Sequence, residues 1–289
     1  MLPNTLRSHI EENIPQKIQR SVNLSGGSIN EAVKLLLDDG TEIFLKWNSG
    51  KYQEMFEVEQ KGLETLRNAD CGFLIPNIFA SGTTPDNQYT WLLLEYVDQG
   101  RSDGPFFDYF GARLAQLHSN TAGEYGLAYD NFIGRLPQKN SKIANWNEFF
   151  VTNRLEPQLS QAINSGLLDY QVGENFERLF SRLDDLIPNS PPSLLHGDLW
   201  SGNFLAAKNG DPVLIDPAVY YGHREIELAF TKLFGGFSSN FYKSYNEQWP
   251  LEPGFEDRVA IFNLYPLLVH VNLFGRAYTS QVISIINNF

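Results

Sequence analysis

The sequence predicts an α+β protein in two unequal parts: a small antiparallel β-sheet part with one helix over residues 1–97, and a larger, mainly helical part over residues 98–289. Three observations carry this. Strand-like apolar runs bounded by turn residues crowd the first hundred positions. Helical apolar spacing dominates after them. One compact strand-rich island, residues 193–218, interrupts the helices. With 289 residues, 42% hydrophobic and 19% charged, the chain has ample material for a buried core and reads as globular.

The elements follow in order. "AVKLLLDDGTEIFLKW" (32–47) is two apolar runs around Asp39-Gly40, a strong hairpin signal. "LSGGSIN" (24–30) is a glycine turn ahead of it. Residues 52–68 have helical spacing, and "YTWLLLEYVDQG" (89–100) reads as a further strand ending in a polar link. The link near Val97 to Gly100 is the natural hinge, and a cleft between two such parts is a common ligand site. Beyond it, Phe107, Phe110, Leu114 and Leu117 fall at i, i+3, i+7 and i+10, an amphipathic helix. "WNEFFVTNRLEPQLSQAI" and "ENFERLFSRLDDLI" also read as helices, as does most of the chain from 225 onward.

Charge and cysteine content exclude several function classes. The net charge of −12 repels phosphate backbones and anionic lipid, so neither nucleic acid nor a membrane is an expected partner. The single cysteine, Cys71, cannot form an internal disulfide, which points to a reducing, cytoplasmic setting. The N-terminus is polar where a signal peptide needs an apolar run, and no stretch approaches the ~20 apolar residues of a membrane span. The sequence leaves the oligomeric state open, with a monomer favoured.

Polar residues at apolar positions mark the candidate site. Lys46 interrupts the strand "IFLKW"; it either reaches solvent from an edge strand or points into a polar site. Glu59 shares a helix stripe with Met55, Leu63 and Leu66, whereas Glu57, Lys61 and Glu64 take the solvent side. A carboxylate on a buried stripe needs a partner, and Lys46 is the obvious one. Such a Lys–Glu pair positions nucleotide phosphates in protein-kinase-like folds. "HGDLWSGN" (196–203) carries Asp198 and Asn203 five residues apart, and Asp216 ends the apolar run "PVLID" thirteen residues later. Phosphoryl transfer needs a carboxylate to take a hydroxyl proton, and an Asn with a second carboxylate to hold Mg²⁺ against phosphates. The competing reading is a surface hairpin whose Asp and Asn only form turns. His196 reads as a brace for the loop rather than a base, and no histidine pair has metal-ligand spacing.

At this point the chain resembles a known family. "HGDxxxxN", with Gly after the His, marks the aminoglycoside phosphotransferase and choline kinase branch of kinase-like enzymes. "LLHGDLWSGN", "IDPAVYYGHREIELA" and "FGGF" are similar to the fructosamine kinase (ketosamine-3-kinase) family. So are "MFEVEQKGLETL", "YGLAYDNFIGRLPQKN", "WNEFFVTNRLEPQL" and "EPGFEDRVAIFNLYPLLVHVNLFG", and together the segments span nearly the whole chain.

The resemblance implies a protein-kinase-like two-lobe fold and an ATP- and Mg²⁺-dependent kinase. Its substrates would be ketosamines, the adducts of sugars on amines, phosphorylated at the sugar 3-hydroxyl; the product falls apart and frees the amine. Asp198 would be the catalytic base, and Asn203 and Asp216 would hold magnesium. Lys46 would contact the α/β-phosphates and pair with Glu59. Gly26, Gly27 and Ser28 would lie over the phosphates, and Glu95, Tyr96 and Val97 would meet adenine. Glu227 would brace the catalytic loop beside His196. Trp200 and Tyr221 offer flat faces for a sugar and a cation, and Glu225 is a candidate for the substrate amine. The sequence departs from protein kinases in reading "DPA" (216–218) for DFG, and from some relatives in carrying Ser28 where they have a phosphate-loop cysteine. Two rivals stand beside this reading: a kinase of another small alcohol, such as an aminoglycoside, choline or a sugar, and a non-catalytic nucleotide-binding relative.

Overall fold

The structure is a computed structural model that describes residues 2–24 and 29–289. Helix α1 (Asn4–Asn13) precedes strands β1 (Ile18–Leu24), β2 (Glu31–Leu37) and β3 (Glu42–Ser49). Helix α2 (Gln53–Asn68) follows, then β4 (Ile78–Thr83) and β5 (Tyr89–Glu95). The five strands form one antiparallel sheet in the order β1-β2-β3-β5-β4. The Asp39-Gly40 hairpin forms where the sequence places it, with Gly40 at φ +86°, a conformation that glycine adopts without strain.

Strand alternation explains how the sheet is covered on both faces. Trp91 and Leu93 point with Leu45 and Ile43 toward α1, where Leu6 and Ile10 complete one apolar layer. Leu92 and Leu94 point the other way, onto Phe56 and Leu63 of α2. A strand buried on both faces reads as a continuous apolar run, which is why "WLLL" lacks a polar alternation.

After β5 the chain is mainly helical. Helix α3 (Phe106–His118), the hairpin β6 (Asn131–Ile133) and β7 (Leu136–Gln138), and α4 (Trp146–Phe150) come first. A π-helical turn (Val151–Leu155) then runs into α5 (Glu156–Asn164), followed by α6 (Tyr170–Phe180) and α7 (Leu183–Leu186). Four short strands follow: β8 (Ser193–Leu195), β9 (Phe204–Ala206), β10 (Pro212–Leu214) and β11 (Tyr220–Gly222). Helices α8 (Arg224–Leu233), α9 (Ser239–Gln248), α10 (Phe255–Phe274) and α11 (Thr279–Ile286) complete the chain. Helix α10 is buried along most of its length against Phe149, Phe150 and Phe176. Helices α3 and α9 pack so closely that a Cβ on Gly111 would lie 2.1 Å from the Phe241 carbonyl oxygen. No helix among the described residues is long and apolar enough to cross a membrane.

The predicted link, Val97 to Gly100, carries no regular element and is tied to the strand-rich island. Gly100 N–H donates to Ala206 O (2.8 Å), and Asp98 O accepts from Lys208 N–H (3.0 Å). The sheet and the helical part thus meet along one cleft.

Candidate active site

Lys46 sits on β3, the third of five strands, so the edge-strand reading of this lysine does not hold. Alternation on β3 sends Ile43 and Leu45 to the α1 side, and Phe44 and Lys46 to the side of α2 and the cleft. Lys46 Nζ is 2.8 Å from Glu59 Oε1 and also bonds Asp216 Oδ1. Burial alone would favour the neutral amine, but the Asp216 and Glu59 carboxylates outweigh it and raise the Lys46 pKa. Burial, together with nearby Asp216, pushes the Glu59 carboxyl up against the pull of Lys46.

The island builds the opposite wall. Asn203 folds the loop back on itself: its Nδ2 donates to Asp198 O and to Asp198 Oδ2, each at 2.9 Å. That leaves the Asn203 amide oxygen as the atom available to a ligand. His196 Nε2 donates to Ile215 O (2.9 Å) and Nδ1 accepts from Asp198 N–H (3.3 Å), while burial lowers its pKa and keeps it neutral. These two bonds tie the Asp198 loop to the strand end before Asp216. Gly197, at φ +85°, lies so close to the following segment that a Cβ would fall 2.0 Å from Ala218 O. Ala218 N–H in turn donates to His196 O (2.9 Å), so the loops bearing Asp198 and Asp216 are laced together.

Glu227 anchors this arrangement from α8. It accepts from Gly197 N–H (2.7 Å), His196 N–H (3.1 Å) and His118 Nε2 (2.9 Å). Burial would raise its pKa, but the His118 contact, nearby His196 and the Gly197 N–H overcome that and lower it. Asp198 is treated oppositely. Burial, then the neighbouring Asp216 charge, pushes its pKa well above the ordinary aspartate value, only partly offset by Asn203. Asp216 has φ +56°, a costly conformation for a residue with a Cβ. The hairpin β6–β7 grips the segment behind it: Asn131 Nδ2 donates to Val219 O (2.9 Å) and Gln138 Nε2 to Ala218 O (3.1 Å).

These walls enclose a cleft of about 460 Å³ lined by Lys46, Glu59, Glu95, Tyr96, Val97, Asp198, Trp200, Asn203 and Asp216. Its oxygen donors, a partly exposed carboxylate and an amide oxygen, suit a hard divalent cation such as Mg²⁺ that keeps water and phosphate in its shell. Gly26, Gly27 and Ser28 lie outside the described residues.

Two expected substrate contacts are corrected. Glu225 is fully buried and closed on Arg258 by two 2.7 Å bonds, so it presents no free oxygen to a ligand. Tyr221, on β11, packs onto the core that contains Leu194 and Leu199 and is absent from the cleft lining. Residues that sequence reasoning passed over line the cleft instead: Asn131, Phe132 and Ile133 of β6, and His270, Leu273 and Phe274 of α10. A distant helix and a three-residue strand leave little local signal. The quoted segments "DNFIG" and "VHVNLFG" contain them, but nothing in their spacing points to a cleft.

Comparison with known proteins sets this geometry in context. A sequence model of the family described as fructosamine kinase matches residues 2–289. A probable ketoamine kinase of Enterococcus faecium is 39% identical over 266 residues, covering 91% of this chain and 93% of that protein. A chloroplastic protein-ribulosamine 3-kinase of Oryza sativa subsp. japonica is 36% identical over 277 residues, covering 94% of this chain and 79% of that protein. Among solved structures, one from Thermobifida fusca carrying the name fructosamine-3-kinase superposes with a TM-score of 0.86 at 30% identity, covering 99% of this chain and 98% of that one. Aminoglycoside phosphotransferase and choline kinase structures share the protein-kinase-like fold at TM-scores of 0.63 and 0.62, with 16% and 15% identity.

Proposed function

Because the chain belongs to the fructosamine kinase family, we propose that it is an ATP-dependent kinase that phosphorylates the sugar 3-hydroxyl of ketosamines, free or linked to protein, in the cytoplasm. The observation that carries this reading is the meeting of Lys46, Glu59 and Asp216 with Asp198 and Asn203 on one cleft. We take residues 1–97 as the nucleotide-binding lobe and 98–289 as the catalytic and acceptor lobe, with Glu95 to Val97 against the adenine.

In this mechanism Lys46 steadies the α- and β-phosphates, and Glu59 holds the ammonium in place. Asp216 and the amide oxygen of Asn203 would hold Mg²⁺, which when bound would offset phosphate charge. The sugar hydroxyl lies against Asp198. As its oxygen forms the new bond to the γ-phosphorus, its proton passes to the Asp198 carboxylate and the bond to the β-phosphate bridging oxygen breaks, releasing ADP. A carboxylate whose pKa is raised by burial is a stronger base than one in water, provided it is ionised at working pH. Glu227 and His196 keep the Asp198 loop in register. Trp200, half-exposed at the cleft, offers a flat face to the sugar. The acidic chain disfavours nucleic acid or a membrane as partner.

A substrate panel tests the reading. ADP formation with Mg²⁺ is followed for ribulose-lysine, fructose-lysine, choline and an aminocyclitol, and ³¹P NMR locates the product phosphate. The expected result is a sugar 3-phosphate from a ketosamine. Turnover of the aminocyclitol with none of either ketosamine would overturn it.

A further inference from the structure

A ketosamine's secondary amine is cationic near neutral pH, yet the carboxylates of the described cleft are already engaged. Glu59 and Asp216 share Lys46, Asp198 faces the reacting hydroxyl, and Glu95, at the adenine end of the cleft in the reading above, has Oε2 taken by Asn77 N–H (3.2 Å) and Nδ2 (2.7 Å). Glu225 is closed on Arg258. What borders the cleft on its α10 side is aromatic instead.

Phe274 is 50% exposed and Phe234 is 38% exposed, and they are grouped rather than scattered, which is what marks an exposed apolar patch as a site. With Tyr278 they surround His270, whose ring centroid lies 4.7 Å from that of Phe234, 5.0 Å from Tyr278 and 5.4 Å from Phe274. His270 and Phe274 line the same cleft as Asp198 and Trp200. The loop after Phe234 abuts the Trp200 loop, since a Cβ on Gly236 would lie 2.6 Å from Ser201 Cβ. The patch therefore continues the acceptor side of the cleft toward solvent. His270 Nδ1 donates to Pro266 O (2.7 Å), and burial lowers its pKa, so the ring is neutral at pH 7 and does not repel an ammonium group. Exposed π faces attract both cations and apolar groups.

We propose that Phe234, Phe274 and Tyr278 form a subsite for the amine-bearing half of the acceptor, an alkyl- or arylammonium group. The enzyme then favours ketosamines of bulky apolar amines over those of small amines. This inference rests on the ketosamine reading above.

The test compares the ribulose adducts of benzylamine and methylamine as acceptors for the wild type, Phe274→Ala and Phe274→Tyr. Phe274 is half-exposed, so its truncation leaves the core intact; Phe234→Ala is a second variant of the same kind. Losing one aromatic face should raise KM for the benzylamine adduct ~5- to 10-fold. KM for the methylamine adduct should rise only about twofold, with kcat and the KM for MgATP unchanged, since that adduct loses one ammonium–aromatic contact but has no apolar group to lose. Phe274→Tyr should keep the wild-type preference. An equal rise for both adducts, no change in either, or a wild type that does not prefer the benzylamine adduct overturns the subsite. A wild type that phosphorylates neither adduct defeats the ketosamine reading itself, and the subsite with it. Phosphorylation of both without dependence on Phe274 defeats the subsite alone.

Discussion

Among the described residues, the Lys46 and Arg258 ion-pair assemblies do opposite things. Lys46 is shared between Glu59 and Asp216 at the cleft, and the Asp216 side chain remains 41% exposed. Arg258 is closed on Glu225 inside the helical part, with the Glu225 side chain 1% exposed and both of its oxygens taken. Arg258 also donates to Pro253 O (2.8 Å) and Glu252 O (3.0 Å), so four of its five N–H donors are spent within the fold. The first assembly holds two negative charges against one positive and keeps an oxygen within reach of solvent. The second balances charge one to one and keeps nothing. A buried charge marks a reactive site when its valence is left open, and a strut when it is closed.

Breaking each assembly should therefore be felt in a different quantity. The largest effect falls on turnover. Lys46→Met should cut kcat/KM for ribulose-lysine by on the order of 10²–10³, the usual loss when one preorganised charge donor is removed. Thermal unfolding should shift less, because the carboxylate freed at Asp216 can be hydrated and Glu59, which burial already pushes toward its neutral form, can take up a proton. Near-normal turnover in this variant would erase the distinction. The closed assembly should answer in stability. Glu225→Ala leaves the Arg258 guanidinium buried without its partner and should cost roughly 3–5 kcal/mol in denaturant unfolding. The double variant Glu225→Met with Arg258→Met should recover most of that loss, since apolar replacement of a whole buried pair is close to neutral. A double variant as unstable as the single one would show that the pair does more than fill space.

The same contrast shows what could be read from the sequence. Glu59 was legible because it falls on the apolar stripe of α2 while Glu57, Lys61 and Glu64 face solvent, as they do in the structure. Lys46 was legible as a charge in an apolar strand, although only the strand order shows that the strand is central. Glu225 misled because closeness in sequence to the metal segment does not fix direction. It lies two residues from Glu227 on one helix, about 200° around the axis at ~100° per residue, so the two point to opposite sides. Glu227 meets the Asp198 loop, and Glu225 meets Arg258, 33 residues on. Helix α1 went unread because its apolar face is only Leu6 and Ile10 among polar neighbours. Strand β4, "IFASGT", is rich in small residues, and β6 and β7 are three residues each, too short for alternation to register. The α10 part of the aromatic patch, His270 and Phe274, was hidden because that helix is apolar nearly all round, and position along it does not tell cleft from core.

The most direct test of the open assembly is an ATP titration of Asp216→Ala by calorimetry, with and without Mg²⁺. If Asp216 keeps its free valence for the metal that accompanies ATP, the wild type binds ATP more tightly with Mg²⁺ than with chelator, and the variant loses that gain while retaining its weak Mg²⁺-free binding. A variant whose affinity still rises with Mg²⁺ as the wild type's does would contradict the account.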